Sequence, residues 1–298
     1  MQVFLISNGS PHTPEQPDAD LPWWSFTKTV LAAAALSLVR DGLVGLDDEM
    51  AEGPFTLRQL LGHEAGLADY GELADYHAAV SRNETPWPAE EMLQRLDATR
   101  LRYAPGVGWR YSNVGYLYAA RLIERLTGLA LEQALLQRVL APLGVARVRL
   151  ARTPADLAQV CMGTAASYHP AWVYHGLLVG PLAEAALLLD RLLTGDFLPP
   201  ALLQAMQTAH ILGGPIAGRP WTAPGYALGL MQGPVAQGLT LSGHTGVGPG
   251  SVLAVYHSAH GKHAATCAVF SAGGEEGAVE ALLVEQLVAE LGVNPSAS

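Results

Sequence analysis

Lysine is nearly missing from this sequence. Only Lys28 and Lys262 occur among 298 residues, against 15 arginines. Cysteine is equally scarce. Cys161 and Cys267 form no C-x-x-C pair and have no metal-ligand spacing, which excludes a disulfide scaffold and predicts two buried thiols. Charge is low at 15%, yet half the residues are hydrophobic, so the chain is not a disordered one. What charge there is runs acidic, 17 basic against 27 acidic residues for a net −10. That balance argues against nucleic acid or an acidic lipid surface as a partner. Long apolar runs are also absent. The longest, V-L-A-A-A-A-L over residues 30–36, falls far short of the about 20 residues a membrane span needs. The first ten residues, M-Q-V-F-L-I-S-N-G-S, lack the basic n-region of a signal peptide, so a cytoplasmic protein without a membrane span is expected.

The apolar half of the chain suffices for a large core, in one large domain or two intimate ones. Residues 2–6 read as a short strand, and the prolines and glycine of 7–22 as a loop, with Pro14 and Pro17 among them. Ser25 to Arg40 reads as a buried helix stopped at Asp41-Gly42. Helical segments follow at 56–61 with Thr56 as cap, 114–126, 130–140 and 182–193. From Tyr226 onward the texture changes to strands, at 226–231, 251–257 and 264–271, with a turn at Gly261, and a last helix spans 275–291. The class is α+β: an antiparallel sheet built from 1–45 and 205–298, and a mostly helical insertion over 46–204, with the site between them.

Three short motifs could carry chemistry. Ser25-Phe26-Thr27-Lys28 places a hydroxyl and an amine on one helix face. A desolvated lysine can activate a serine, because burial lowers an amine pKa. With 13 serines and two lysines, about 0.1 such matches are expected by chance. The plainer alternative is a serine cap with an exposed lysine, but this helix is otherwise apolar. Tyr111-Ser112-Asn113 offers a phenol and an amide pointing the same way in extended backbone, or else an ordinary loop. His244-Thr245-Gly246 lies in a glycine-rich stretch where a substrate could approach closely, or else in a plain turn leading into a strand. A fourth cluster, His257, His260 and His263, crosses an expected hairpin turn and reads as solvated rather than metal-binding. Trp23 and Trp24 are open between core packing for both and one of them walling a pocket.

In chain order, S-x-x-K, Y-S-N and H-T-G resemble the motif set of the class C β-lactamase-like serine hydrolases, which include class C β-lactamases, D-Ala-D-Ala carboxypeptidases, D-aminopeptidases and family VIII esterases. T-L-R-Q-L-L-G-H-E-A-G-L at 56–67, Pro105-Gly106 before Y-S-N-V-G-Y, A-P-L-G at 141–144 and G-Y-A-L-G-L at 225–230 extend the resemblance over residues 23 to about 290. It implies the β-lactamase/transpeptidase-like fold, with the sheet shortened on its N-terminal side because only 24 residues precede Ser25. It also implies Ser25 as nucleophile, Lys28 as its activating partner and Tyr111 as general base. Asn113 would hold Lys28 and the substrate amide. Backbone N–H groups of Ser25 and Val247 would form the oxyanion hole, and His244, Thr245 and Gly246 the substrate-binding strand. His63 keeps a family position and reads as structural.

The resulting expectation is an acyl-enzyme hydrolase of a small ester or amide, working without cofactor or metal. His244 stands where β-lactamases usually carry a lysine. An imidazole is mostly neutral at pH 7, which disfavours substrates that need a cation for their carboxylate. The alternatives are a β-lactamase or D-Ala-D-Ala carboxypeptidase acting on a lactam or peptide, a non-catalytic penicillin-binding-type sensor, and metal-dependent hydrolysis at the histidine turn.

Overall fold

The computed structural model describes residues 1–12, 18–165 and 167–293. Pro14 and Pro17 of the expected N-terminal loop therefore lie outside the described residues. The strand pairs of the main sheet are antiparallel. It takes β1 (Gln2–Ser7) and β2 (Ser10–Pro11) from the start of the chain, and its other strands from the end. A small second sheet holds β3 (Asp20–Pro22), β4 (Arg149–Ala151) and β5 (Leu177–Pro181) in the order β3-β5-β4. The main sheet continues through β6 (His210–Ile211), β7 (Gly225–Tyr226), β8 (Met231–Pro234), β9 (Thr240–Gly248), β10 (Ser251–His260) and β11 (His263–Ala272). Its order is β2-β1-β11-β10-β9-β8-β7-β6, so the N-terminal edge is one full strand and a two-residue stub.

Residues on β10 and β11 are buried on both faces, which is why they read as continuous apolar runs rather than as alternation. Leu253, Val255, Ala268 and Phe270 belong to one core with residues of the helices α1 (Thr27–Arg40), α2 (Leu57–Leu61), α5 (Asn113–Thr127), α6 (Leu131–Leu135) and α7 (Leu182–Thr194). The remaining helices before the end of the chain, α3 (Ala74–Ser81), α4 (Ala89–Arg95) and α8 (Pro200–Gln207), are short. Val252, Ala254, Tyr256, Cys267 and Val269 face α9 (Glu276–Leu291) through Val279, Leu283 and Leu287. The helix α1 is buried at every position from Thr27 to Leu38, as its Ala-Leu composition demands. No helix among the described residues is long and apolar enough to cross a membrane.

Several expectations change. Residues 226–231 are not one strand. Gly229 takes φ +78° and its carbonyl accepts a hydrogen bond from Thr29 Oγ1 at 2.7 Å, so the chain reverses and β7 pairs with β8. The H-T-G motif lies within a strand, β9, rather than in a turn ahead of one. Cys161 is exposed, while Cys267 is buried, its thiol pushed up to about 12 by desolvation. The helix α7, placed by sequence with the helical insertion, packs on β11, β1 and β10.

Candidate active site

Trp24–Phe26 form a 3₁₀ turn ahead of α1, which puts Ser25 at the helix head and Lys28 in its first turn. Trp24 carries φ +42°, a conformation that bulky residues rarely adopt and that surrounding structure must enforce. The enforcement is visible. Trp24 Nε1 donates to Ser251 Oγ at 3.0 Å, and its ring meets the edge of Tyr168. Ahead of it, Trp23 N–H donates to the Leu178 carbonyl at 2.8 Å, tying the segment to β5. Trp23 is core, and Trp24 lines the cleft.

Lys28 is wholly buried. Its Nζ lies 3.1 Å from Ser25 Oγ, 2.7 Å from Asn113 Oδ1 and 3.3 Å from His175 Nε2. The Tyr111 hydroxyl donates to Ser25 Oγ at 2.9 Å, and its ring lies 4.9 Å beneath the lysine. Asn113 opens α5, whose first turn Ser112 caps by accepting from Gly115 N–H at 3.3 Å. Asp69 accepts from Asn113 N–H at 2.9 Å and from Nδ2 at 3.2 Å. With its NH₂ group committed to Asp69, the Asn113 amide has only its oxygen to turn toward Lys28.

Burial governs the protonation of the site. It pushes Lys28 from 10.5 down to about 7, against the pull of the Asp69 carboxylate. Asp69 itself is raised by burial. Tyr111 is raised well out of the physiological range by desolvation, so it rests as a neutral phenol. Three buried imidazoles surround the lysine, all held below the ordinary 6.5 by burial first and the Lys28 charge second. These are His63, His175 and His244, the last at about 3. His63 Nδ1 accepts from Ser112 N–H at 3.1 Å and its ring packs on Tyr111 and Tyr226, a structural placement.

The glycines of β9 serve a different approach from the one the sequence suggested. A Cβ on Gly246 would stand 2.6 Å from the Trp23 carbonyl and 2.9 Å from Ser25 N, and one on Gly248 would stand 2.3 Å from the Trp24 ring. The space these glycines leave is filled by the chain's own Trp23–Ser25 segment. His244 and Thr245 do not turn their side chains to the cleft. His244 Nε2 meets Tyr226 OH at 3.0 Å, and Thr245 Oγ1 is bonded to Tyr256 and to buried Glu280. Glu280 is held in turn by Arg219, which also meets Glu276. Val247 is 47% exposed and lines the cleft.

A cavity of about 250 Å³ opens over Ser25, walled also by Trp24, Asn113, His175 and Val247. It shares Val80 and Tyr168 with a second cavity of about 600 Å³, lined by Leu157, Met162 and Trp172 among others. Among the described residues no group of three or more His, Cys, Asp or Glu side chains is placed to hold a metal; His257 instead meets Thr266 Oγ1 at 2.9 Å. Sequence reasoning missed Asp69 and His175. Neither belongs to a spaced motif, and a single acid or histidine in an irregular segment carries no periodic signal.

A lovastatin esterase of Penicillium rubens is 31% identical over 163 residues, 44% of this chain and 40% of that protein. A D-aminopeptidase of Brucella anthropi is 30% identical over 141 residues, 45% of this chain and 27% of that protein. The matched stretches thus span well under two thirds of either relative. The crystal structure of D-amino acid amidase from Ochrobactrum anthropi SV3 complexed with D-phenylalanine superposes with a TM-score of 0.78 at 21% identity, covering 96% of both chains. The fold is accordingly the β-lactamase/transpeptidase-like one. The model of the Beta-lactamase family matches residues 1–288, almost the whole chain that carries these motifs, and the chain belongs to that family.

Proposed function

We propose that this protein is a serine hydrolase that takes the acyl group of a small ester or amide onto Ser25 and passes it to water. The observation that carries this reading is that Ser25 Oγ lies within hydrogen-bond reach of both Lys28 Nζ and Tyr111 OH, in a cavity open to a ligand. Lys28, brought near neutrality by burial, takes the Ser25 proton directly or through the phenol. Tyr111 acts as a neutral relay and donor rather than as a resting phenolate. Oγ then attacks the carbonyl carbon, and backbone N–H groups of Ser25 and Val247 receive the oxyanion. Lys28 and Tyr111 return the proton to the leaving group. A water activated by the same pair releases the acid and restores Ser25.

A substrate without an essential carboxylate fits this cleft best. His244 is neutral at any physiological pH, and Arg219, behind Thr245, is engaged by Glu280 and Glu276. The adjoining cavity, whose wall mixes Leu157, Met162 and Trp172 with Asn83, Glu84 and His169, leaves room for a substrate larger than the cleft over Ser25 alone would hold. The test is a panel of p-nitrophenyl acetate, D-phenylalanine amide and nitrocefin, run beside fluorophosphonate labelling with the adduct located by mass spectrometry. Ester turnover above nitrocefin turnover, a label on Ser25, and loss of both in Ser25→Ala are expected. A label elsewhere, or Ser25→Ala activity above a few per cent, overturns the reading. Nitrocefin turnover with poor ester cleavage reverses the substrate ranking, and a wild-type protein without turnover of any of the three points to a sensor.

A further inference from the structure

We propose that His175 is a positioning residue of this site: its Nε2 is the third polar neighbour of Lys28 Nζ, and the imidazole fixes where the lysine stands and how firmly it holds its proton. The inference rests on the reading of Lys28 as proton acceptor for Ser25. An ammonium has three hydrogens, and three atoms able to accept them surround this one, Ser25 Oγ, Asn113 Oδ1 and, with the ring hydrogen on Nδ1, His175 Nε2. None of the three carries a charge. The carboxylate acting on Lys28, Asp69, stands behind Asn113 and bonds the amide instead. The other groups facing the lysine are the rings of Tyr111 and Tyr116, at 4.9 and 5.7 Å, and the neutral imidazoles of His63 and His244.

The fold delivers His175 to this place by the same device that delivers Ser25. β3 ends at Pro22, three residues before Ser25, and β5 begins at Leu177, two residues after His175; Pro22 pairs with Val179. Between His175 and the strand, Gly176 adopts φ +95°, and a Cβ there would stand 2.9 Å from Leu150 Cδ1. Leu178 N–H also bonds Thr27 Oγ1 at 3.2 Å, next to Lys28 itself. A histidine kept only for packing would be expected to have its buried nitrogens satisfied. His175 has its Nδ1 buried without a protein partner among the described residues, and its one polar contact there is Lys28.

The consequence is specific. When Lys28 takes the Ser25 proton, the new ammonium keeps Asn113 and His175 as acceptors while its third hydrogen returns to oxygen. Removing the His175 acceptor makes the ammonium less favourable and the amine a weaker base. Replacing it with a carboxylate makes the ammonium too favourable, leaving little free amine at pH 7.

The scarcity of lysine makes this measurable without turnover. Protein labelled with ¹³Cε-lysine gives two resonances, Lys28 and Lys262, and the Lys28 midpoint is read by titration. His175→Phe is expected to lower that midpoint and His175→Glu to raise it, the latter by at least about one pH unit. His175→Gln, which keeps an acceptor, is expected to stay beside the wild type, and should His175→Glu not fold, the Phe and Gln pair decides. The acid limb of kcat/KM for p-nitrophenyl acetate should move in the same directions, with kcat for His175→Phe down about tenfold and KM little changed. Coincident midpoints for wild type and His175→Phe overturn the proposal. A wild-type protein that neither cleaves the ester nor labels at Ser25 overturns the hydrolase reading instead, while the midpoints still judge His175.

Discussion

An arginine at position 28 would keep the charge of Lys28 and most of its stem, yet could not give up a proton in any accessible pH range. The geometry makes this substitution a sharp test. Lys28 is enclosed by Ser25, Asn113, His175 and the ring of Tyr111, so the planar guanidinium has neither the room nor the chemistry. Lys28→Arg is expected to lose nearly as much as Lys28→Ala, within the 10²–10⁴-fold typical of a general base. If Lys28→Arg keeps more than about a tenth of wild-type kcat/KM, a loss under ~1.4 kcal/mol, the lysine serves as a charge and Tyr111 works alone. The pH profile of the wild type carries the same signature. Because burial lowers Lys28 to about 7, the free amine accumulates as pH rises, and kcat/KM should climb through that value. A flat profile between pH 6 and 8 contradicts the assignment. Lys28 was legible in the sequence because lysine is so rare and its helix so apolar, whereas the residues that set its protonation, Asp69 and His175, were not. Their effect depends on burial and on neighbours 41 and 147 positions away, which no local spacing encodes.

At the level of elements, the seam between β9 and the 3₁₀ turn before α1 sets the position of Ser25. Gly246 and Gly248 are two residues apart, so they share one face of β9, and the backbone of Trp23–Ser25 and the ring of Trp24 lie against them. Gly246→Ala places a methyl group against fixed backbone, an overpacking worth about 1–3 kcal/mol. It should lower Tm and depress kcat/KM together, because the atoms the methyl would meet, Trp23 O, Trp24 Cβ and Ser25 N, belong to the segment that positions the nucleophile. Gly214→Ala, at an exposed position where a Cβ would have no neighbour within 4 Å, is the control and should leave both unchanged. Equal effects of the two changes would show that the seam does not govern the nucleophile. Strong local signals made some elements readable: the Thr56 cap ahead of α2, which the structure completes as a capping box with Gln59, the glycine stop at Gly128 after α5, and the Gly261 turn between β10 and β11. The misread segment 226–231 looked like a strand because its apolar residues are buried, but they are buried in a reversal held by Thr29. The small sheet β3-β5-β4 escaped notice because its strands have three to five residues, too short to show a period, and it is this sheet that brings His175 and Ser25 together.

For the whole molecule, the candidate site draws on segments from residue 25 to residue 247, so it exists only when the sheet has closed and the helices have packed on it. Lys28 therefore reports on global folding through its proton. Unfolded, it has an ordinary lysine value near 10.5; folded, burial lowers it to about 7. Between those two values the unfolded chain binds a proton that the folded chain does not, so stability rises with pH across that window. Below about pH 7 both states hold the proton and the cost of burying the ammonium is present in full. Above about 10.5 neither holds it and that cost is gone. Buried Tyr111, Tyr116 and Tyr226 are raised by desolvation and act in the opposite sense, but only from the ordinary tyrosine value near 10 upward. The buried Cys267 thiol acts in that opposite sense too, from its ordinary value near 9 upward, so the lysine is isolated between pH 7 and 9 by comparison with a variant that lacks only its titration. Lys28→Met keeps the stem and removes the titration. Urea unfolding at pH 7, 8 and 9 should show the wild type gaining stability relative to Lys28→Met at each step, on the order of 1 kcal/mol per pH unit while Lys28 remains protonated only in the unfolded chain. Parallel stability curves for the two proteins over that range would mean that Lys28 holds its proton equally in both states, and the amine would then not be available to Ser25 at neutral pH.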